Sequence, residues 1–95
     1  MAGSENTPLK EITVLYFAAA LTTTGTASET IPLPDDEFKL ADLGVLLISR
    51  HPNTDLGAIL KTSQWSVNAE MVEDPDAVTL RGGEEVAVIC PVSGG

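Results

Sequence analysis

The chain has 95 residues, with 14 acidic and 5 basic side chains and a formal charge of −9. That length fits one domain with one core, and a hydrophobic share of 43% is enough to fold it and excludes wholesale disorder. The acidic balance excludes a nucleic-acid binder, which needs clustered Lys and Arg, and favours a basic protein partner.

Residues 1–10 are expected to form a flexible arm. Their polar start, Met1 to Pro8, lacks the basic and apolar regions of a signal peptide. No apolar run approaches the ~20 residues that span a bilayer. The expectation is a soluble cytoplasmic protein without membrane contact.

Residues 11–90 are expected to fold as the domain. Glu11-Ile-Thr-Val-Leu-Tyr-Phe-Ala18 is rich in β-branched and aromatic residues and predicts a strand. Thr22 to Thr26, with Gly25, predicts a turn, and Ser28 to Leu33 a returning strand stopped by Pro32 and Pro34. Leu40, Leu43, Leu47 and Ile48 recur at helical spacing, with Asp42 early, Arg50 late and Pro52 beyond, predicting a helix over 40–50. A shorter helix containing Leu56, Ile59 and Leu60 is expected after Asn53-Thr54-Asp55.

Trp65 to Val72 reads as extended, Asp74-Pro75-Asp76 as a turn, and Val78 to Leu80 as a short strand. Gly82-Gly83 is expected to be a hairpin turn needing positive φ. Val86 to Cys90 is the clearest strand. The order predicts an α+β fold, a mixed sheet with one main helix packed on one face.

Two strands carry apolar residues on both faces. In the first, Ile12, Val14 and Tyr16 oppose Thr13, Leu15 and Phe17; in the last, Val86, Val88 and Cys90 oppose Ala87 and Ile89. A sheet covered on one side should alternate with polar residues. Either both faces are covered, or the set with Leu15, Phe17 and Ile89 forms an exposed patch of the kind that marks a partner site.

Residues 91–95, Pro-Val-Ser-Gly-Gly, are expected to be a flexible tail. Extended, they reach ~17 Å at about 3.4 Å per residue. Two glycines can thread a narrow channel, which makes the α-carboxylate of Gly95 the candidate reactive group; the alternative is a frayed end.

His51, before Pro52, reads as a helix-end or exposed residue, and Cys90 as a small apolar strand residue without metal-ligand neighbours. Trp65 reads as core. The acidic runs Asp35-Asp36-Glu37 and Glu73 to Asp76 read as solvated loops. With no paired nucleophile and base and no phosphate loop, the chain is not expected to be an enzyme on its own.

Val14-Leu-Tyr-Phe-Ala18, Val67-Asn68, and Gly83-Glu-Glu-Val86 leading to Pro91-Val-Ser-Gly-Gly95 together resemble the ubiquitin-like sulfur-carrier subunit of molybdopterin synthase. The resemblance covers most of residues 11–95 and implies a β-grasp fold. It also implies that Gly95, beside Gly94, is adenylated by a ubiquitin-activating-like adenylyltransferase and sulfurtransferase that consumes ATP, then converted to a thiocarboxylate. The loaded tail would insert into the large catalytic subunit and give sulfur to cyclic pyranopterin monophosphate, in a heterotetramer of two small and two large subunits.

The implied partner contacts are Phe17, Met71 and Ile89, with Pro91, Val92 and Ser93 on the tail; no bound cofactor or metal is implied. The alternatives sharing this chemistry are a ubiquitin-like protein modifier and a sulfur carrier for thiamine or tRNA thiolation.

Overall fold

The computed structural model describes residues 10–34 and 37–90. Strand β1 (Glu11–Tyr16) runs into helix α1 (Ala18–Thr24) and returns as β2 (Ser28–Pro32). A two-residue strand β3 (Phe38–Lys39) leads into helix α2 (Leu40–Arg50), followed by α3 (Leu56–Thr62). Strands β4 (Gln64–Val67) and β5 (Glu70–Val72), a 3-10 turn (Pro75–Ala77), β6 (Thr79–Leu80) and β7 (Glu85–Ile89) complete the chain order.

The main sheet has the order β2-β1-β7-β4-β5, and β3 pairs with β6 in a separate ribbon. β1 lies parallel to β7, with Val14 opposite Val86 and Tyr16 opposite Val88, while the other main-sheet pairs are antiparallel. This is the mixed sheet of a β-grasp fold, with α2 and α3 on its inner side.

The core follows the alternation of the strands. Ile12, Val14, Tyr16, Val86 and Val88 are buried, and Leu40, Leu43 and Leu47 of α2 close over them. Each such side chain contributes roughly 1.5–3 kcal/mol when removed from water. Helix α2 spans the expected residues, with Asp42 in its first turn and Arg50 in its last, charges that complement its dipole. Helix α3 begins where Thr54 hands over: its hydroxyl donates to the His51 carbonyl (2.6 Å) and accepts from the Leu56 amide (3.3 Å).

Five expectations change. The first strand stops at Tyr16, and the expected Thr22–Thr26 turn is instead helix α1 ending at Gly25, which takes φ +76. Three consecutive alanines and Leu21 favour helix, and Thr22 and Thr24 bond back to the carbonyls of Ala18 and Ala20 rather than opening the chain. The Trp65–Val72 segment is a hairpin, turned at Asn68 (φ +50) and Ala69 (φ +71).

Gly82 and Gly83 do take positive φ, +124 and +88, but they do not close a hairpin. The strands they join, β6 and β7, belong to different sheets. Finally, β7 ends at Ile89, so Cys90 follows the strand instead of lying within it.

The expected arm lies outside the described residues except for Lys10, whose carbonyl accepts from the Leu33 amide (2.8 Å). The tail residues Pro91, Val92, Ser93, Gly94 and Gly95 also lie outside them, as do Asp35 and Asp36.

Candidate functional site

The side of the main sheet away from α2 and α3 carries an apolar face. Its middle row runs Ser28, Leu15, Ala87, Ser66, Met71 across all five strands, by direct register. Ser66 and Ala87 are small and sunk to 7% and 8% exposure, so they form a shallow floor between larger neighbours. Phe17 (48% exposed) and Met71 (54% exposed) stand up from its rim, and Ile89 lies half-buried opposite Gln64. Of the two readings of the double-faced strands, the structure supports the open patch: among the described residues, no helix covers this face.

Phe17 is held outward by its backbone. It sits in extended conformation between β1 and α1 (φ −130°, ψ 155°), and its carbonyl accepts from the Ala20 amide at 3.0 Å. The next residue, Ala18, has φ +53, a left-handed step that turns the chain off the sheet. The Cys90 thiol reaches the same Phe17 carbonyl at 3.4 Å. Cys90, the residue after β7, thus lies beside Phe17 and next to Ile89, two of the three side chains expected to meet a partner.

The segment Gly83-Glu84-Glu85-Val86 has a structural purpose that residue type alone did not reveal. The Gly83 amide donates to the Glu11 carbonyl (2.6 Å), and the Thr13 amide to the Glu84 carbonyl (3.0 Å), docking β7 onto β1. The Glu84 carboxylate accepts from the amides of Arg81 (3.0 Å) and Gly82 (2.8 Å). Asn68 completes the frame: its side-chain oxygen accepts from the Glu85 amide (3.0 Å), and its amide donates to the Glu85 carbonyl (2.8 Å).

On the inner side, a polar cluster joins three elements. Tyr16, from β1, donates its hydroxyl to Glu29 Oε2 (2.5 Å). His51 places Nε2 at 2.6 Å from the same oxygen, and Arg50 places Nε at 3.3 Å from Oε1. The His51 ring meets the Tyr16 ring edge-on, with centroids 5.8 Å apart. Burial, the Glu29 hydrogen bond and the Glu29 charge push the Tyr16 hydroxyl well above the ordinary tyrosine range, against the opposing charge of Arg50. Burial alone would raise the Glu29 carboxyl; hydrogen bonds from His51 and Tyr16 and the charges of His51 and Arg50 outweigh it and hold it low.

His51 therefore lies at the helix end as expected, its amide donating to the Leu47 carbonyl (3.1 Å), but its side chain is largely buried rather than solvated. The missed signal was in β2: Glu29 shares its face with buried Ile31, and a carboxylate on a core face requires donors.

Trp65 is half-buried against the core. Glu37 is exposed and pairs with Arg81 (3.2 Å), while Glu73, Asp74 and Asp76 are exposed. Among the described residues, no group of His, Cys, Asp and Glu is arranged to hold a metal ion, and no helix is long and apolar enough to cross a membrane.

The model of the ThiS family matches residues 14–95. A protein of Mycosarcoma maydis named "Molybdopterin synthase sulfur carrier subunit" is 46% identical over 94 residues, covering 97% of this chain and 99% of the relative. The solution structure of the Haloferax volcanii HVO 2177 protein superposes with a TM-score of 0.73 at 23% identity, over 99% of this chain and 94% of that one. A Helicobacter pylori structure described as a protein-protein complex of subunits 1 and 2 of molybdopterin-converting factor matches with a TM-score of 0.63 at 18% identity, over 90% of this chain and 99% of that one. By its β-grasp fold and its near-full-length likeness to a molybdopterin synthase sulfur carrier subunit, the chain belongs to the ThiS family.

Proposed function

We propose that this chain is the sulfur-donating small subunit of a molybdopterin synthase, without catalytic activity of its own. The observation that carries the reading is the open apolar sheet face, with Cys90 at the end of β7 bonded to the Phe17 carbonyl beside it, in a family whose relatives are named as sulfur carriers. The Helicobacter pylori complex supports a large-subunit partner.

In this reading Phe17, Met71 and Ile89 dock the large catalytic subunit, and Pro91, Val92 and Ser93 lead Gly94 and Gly95 into its active site. The Gly95 carboxylate first attacks the α-phosphorus of ATP on an adenylyltransferase, releasing pyrophosphate. A sulfur nucleophile then displaces AMP to leave a thiocarboxylate. That sulfur attacks cyclic pyranopterin monophosphate to form a thioester, and water then cleaves the acyl–sulfur bond and returns the Gly95 carboxylate. Two such transfers in a heterotetramer of two small and two large subunits supply the two dithiolene sulfurs. The reaction belongs in the cytosol.

The test is the intact mass of the full chain after incubation with ATP, the cognate activating enzyme and a sulfur source. A gain equal to sulfur replacing one oxygen, absent when Gly95 is deleted, is expected. No gain with an enzyme of demonstrated activity overturns the reading.

A further inference from the structure

The main sheet has two edges, and they are not alike. At the β2 edge, the odd-numbered residues Ala27 and Leu33 bond to Tyr16 and Lys10 of the β1 side, so Ser28, Thr30 and Pro32 turn their backbones outward. That edge is blunted: the Thr26 hydroxyl already occupies the Ser28 carbonyl (2.8 Å), and Pro32 has no amide hydrogen.

The β5 edge has no such protection. The Asn68 amide donates to Glu85, which fixes the phase of β4: Ser66 and Asn68 face β7, while Trp65 and Val67 face β5. Their partners Val72 and Glu70 then bond inward, and Met71, between them, turns both its N–H and its C=O to the open side.

The surroundings of this edge are acidic and cleft. A shallow cleft of about 660 Å³ borders Met71 on the side of Trp65 and Pro75, and a second of about 450 Å³ borders it on the side of Val67 and Asn68. Glu73 lines both, and Glu70 lines the second. Neither Glu70 nor Glu73 has an ion-pair partner among the described residues. The edge offers one donor–acceptor pair, an exposed methionine and uncompensated carboxylates.

We propose that the β5 edge receives an extended basic segment of a partner protein by strand addition, with its backbone paired to Met71 and its Lys or Arg side chains beside Glu70 and Glu73. Main-chain pairing supplies alignment in this mode, and alternate side chains supply specificity. One backbone pair on a three-residue strand is a small contact, so the carboxylates carry much of the selectivity and the binding weakens with salt. The site shares Met71 with the face proposed to dock the large subunit, but its backbone pairing lies at the β5 edge and does not depend on sulfur chemistry.

The probe is a synthetic heptapeptide alternating Lys and Val, titrated into the isotopically labelled full chain while amide resonances are followed. Saturable shifts centred on residues 70–73 are expected, with the Met71 amide gaining protection from hydrogen exchange. The same peptide N-methylated on alternate residues, and a Glu-Val counterpart, are expected not to bind.

In the protein, Met71→Pro removes an outward amide together with the methionine side chain, a substitution that an edge strand accepts. It is expected to weaken binding roughly threefold to tenfold more than Met71→Ala, which keeps the amide. Glu70→Gln with Glu73→Gln should remove most of the salt dependence. Absence of saturable binding, shifts centred on Leu15 and Ile89 instead, or equal binding of the N-methylated peptide overturns the proposal.

Discussion

His51 and Glu29, 22 residues apart in the chain, meet at 2.6 Å between Nε2 and Oε2 and tie the end of α2 to the edge strand β2. The same carboxylate takes the Tyr16 hydroxyl and the Arg50 guanidinium. Removing its charge while keeping its shape isolates the electrostatic share. Glu29→Gln is expected to lower stability by about 1–2 kcal/mol, because a buried hydroxyl and imidazole lose a charged acceptor; urea unfolding measures it.

The cluster also sets the pH response. Glu29 is held below the ordinary carboxylate value of 4.5, so the unfolded chain binds its proton first as pH falls. Its contribution is present above about pH 4.5 and is lost as pH drops through the lower folded value. Tyr16 is raised above 10.0; its contribution is full below that value and is lost as the unfolded phenol ionises. Stability plotted against pH should fall at both ends, and Glu29→Gln should flatten the acid limb.

Two glycines should respond in opposite directions to alanine. Gly44 lies inside α2, and an added Cβ would lie 3.7 Å from both Leu60 Cδ1 and Trp65 Cζ2, an ordinary contact. Gly44→Ala is expected to raise stability by about 1 kcal/mol through helix propensity, visible as a melting shift of about 4–8 °C. Gly83 has open space around it but a φ of +88, so Gly83→Ala should cost about 1–2 kcal/mol in backbone strain.

Phe17 separates folding from docking. Its side chain is nearly half exposed, so Phe17→Ala should leave the melting temperature close to that of the parent. If the open face is the large-subunit site, the same change should weaken association with that subunit by about thirtyfold, the effect of losing a 2 kcal/mol aromatic anchor. Calorimetric titration of the two proteins gives the comparison.

Much of this arrangement was legible because alternation and helical spacing act locally. The pattern Ile12-Val14-Tyr16 marked the core face, and Leu40-Leu43-Leu47 marked the helix that covers it. Phe17 and Ile89 could be assigned to the other face by parity alone. Met71 needed the resemblance, because the two-residue turn at Asn68-Ala69 was not recognised within an apparently continuous extended run.

What escaped depends on pairing at a distance. Whether Thr22–Thr24 form a turn or a helix is decided partly by docking, with Thr23 accepting the Asp55 amide at 3.0 Å. The role of the Glu84 carbonyl, which accepts from the Thr13 amide, appears only once β7 lies beside β1. His51 looked solvent-facing because its partner is on a strand that no local pattern links to it.

The place of β7 has a consequence for biosynthesis. Among the described residues it is the last strand in chain order, yet it lies in the middle of the sheet, with β1 on one side and β4 on the other. Until it emerges from the ribosome, Val14 and Trp65 have no neighbours across the gap, and the two halves of the sheet cannot join. Such long-range closure makes folding slow and ties it to the emergence of β7. A chain interrupted before Val86 would remain unfolded and exposed to proteolysis, so Cys90 and the residues after it are presented only on a finished domain.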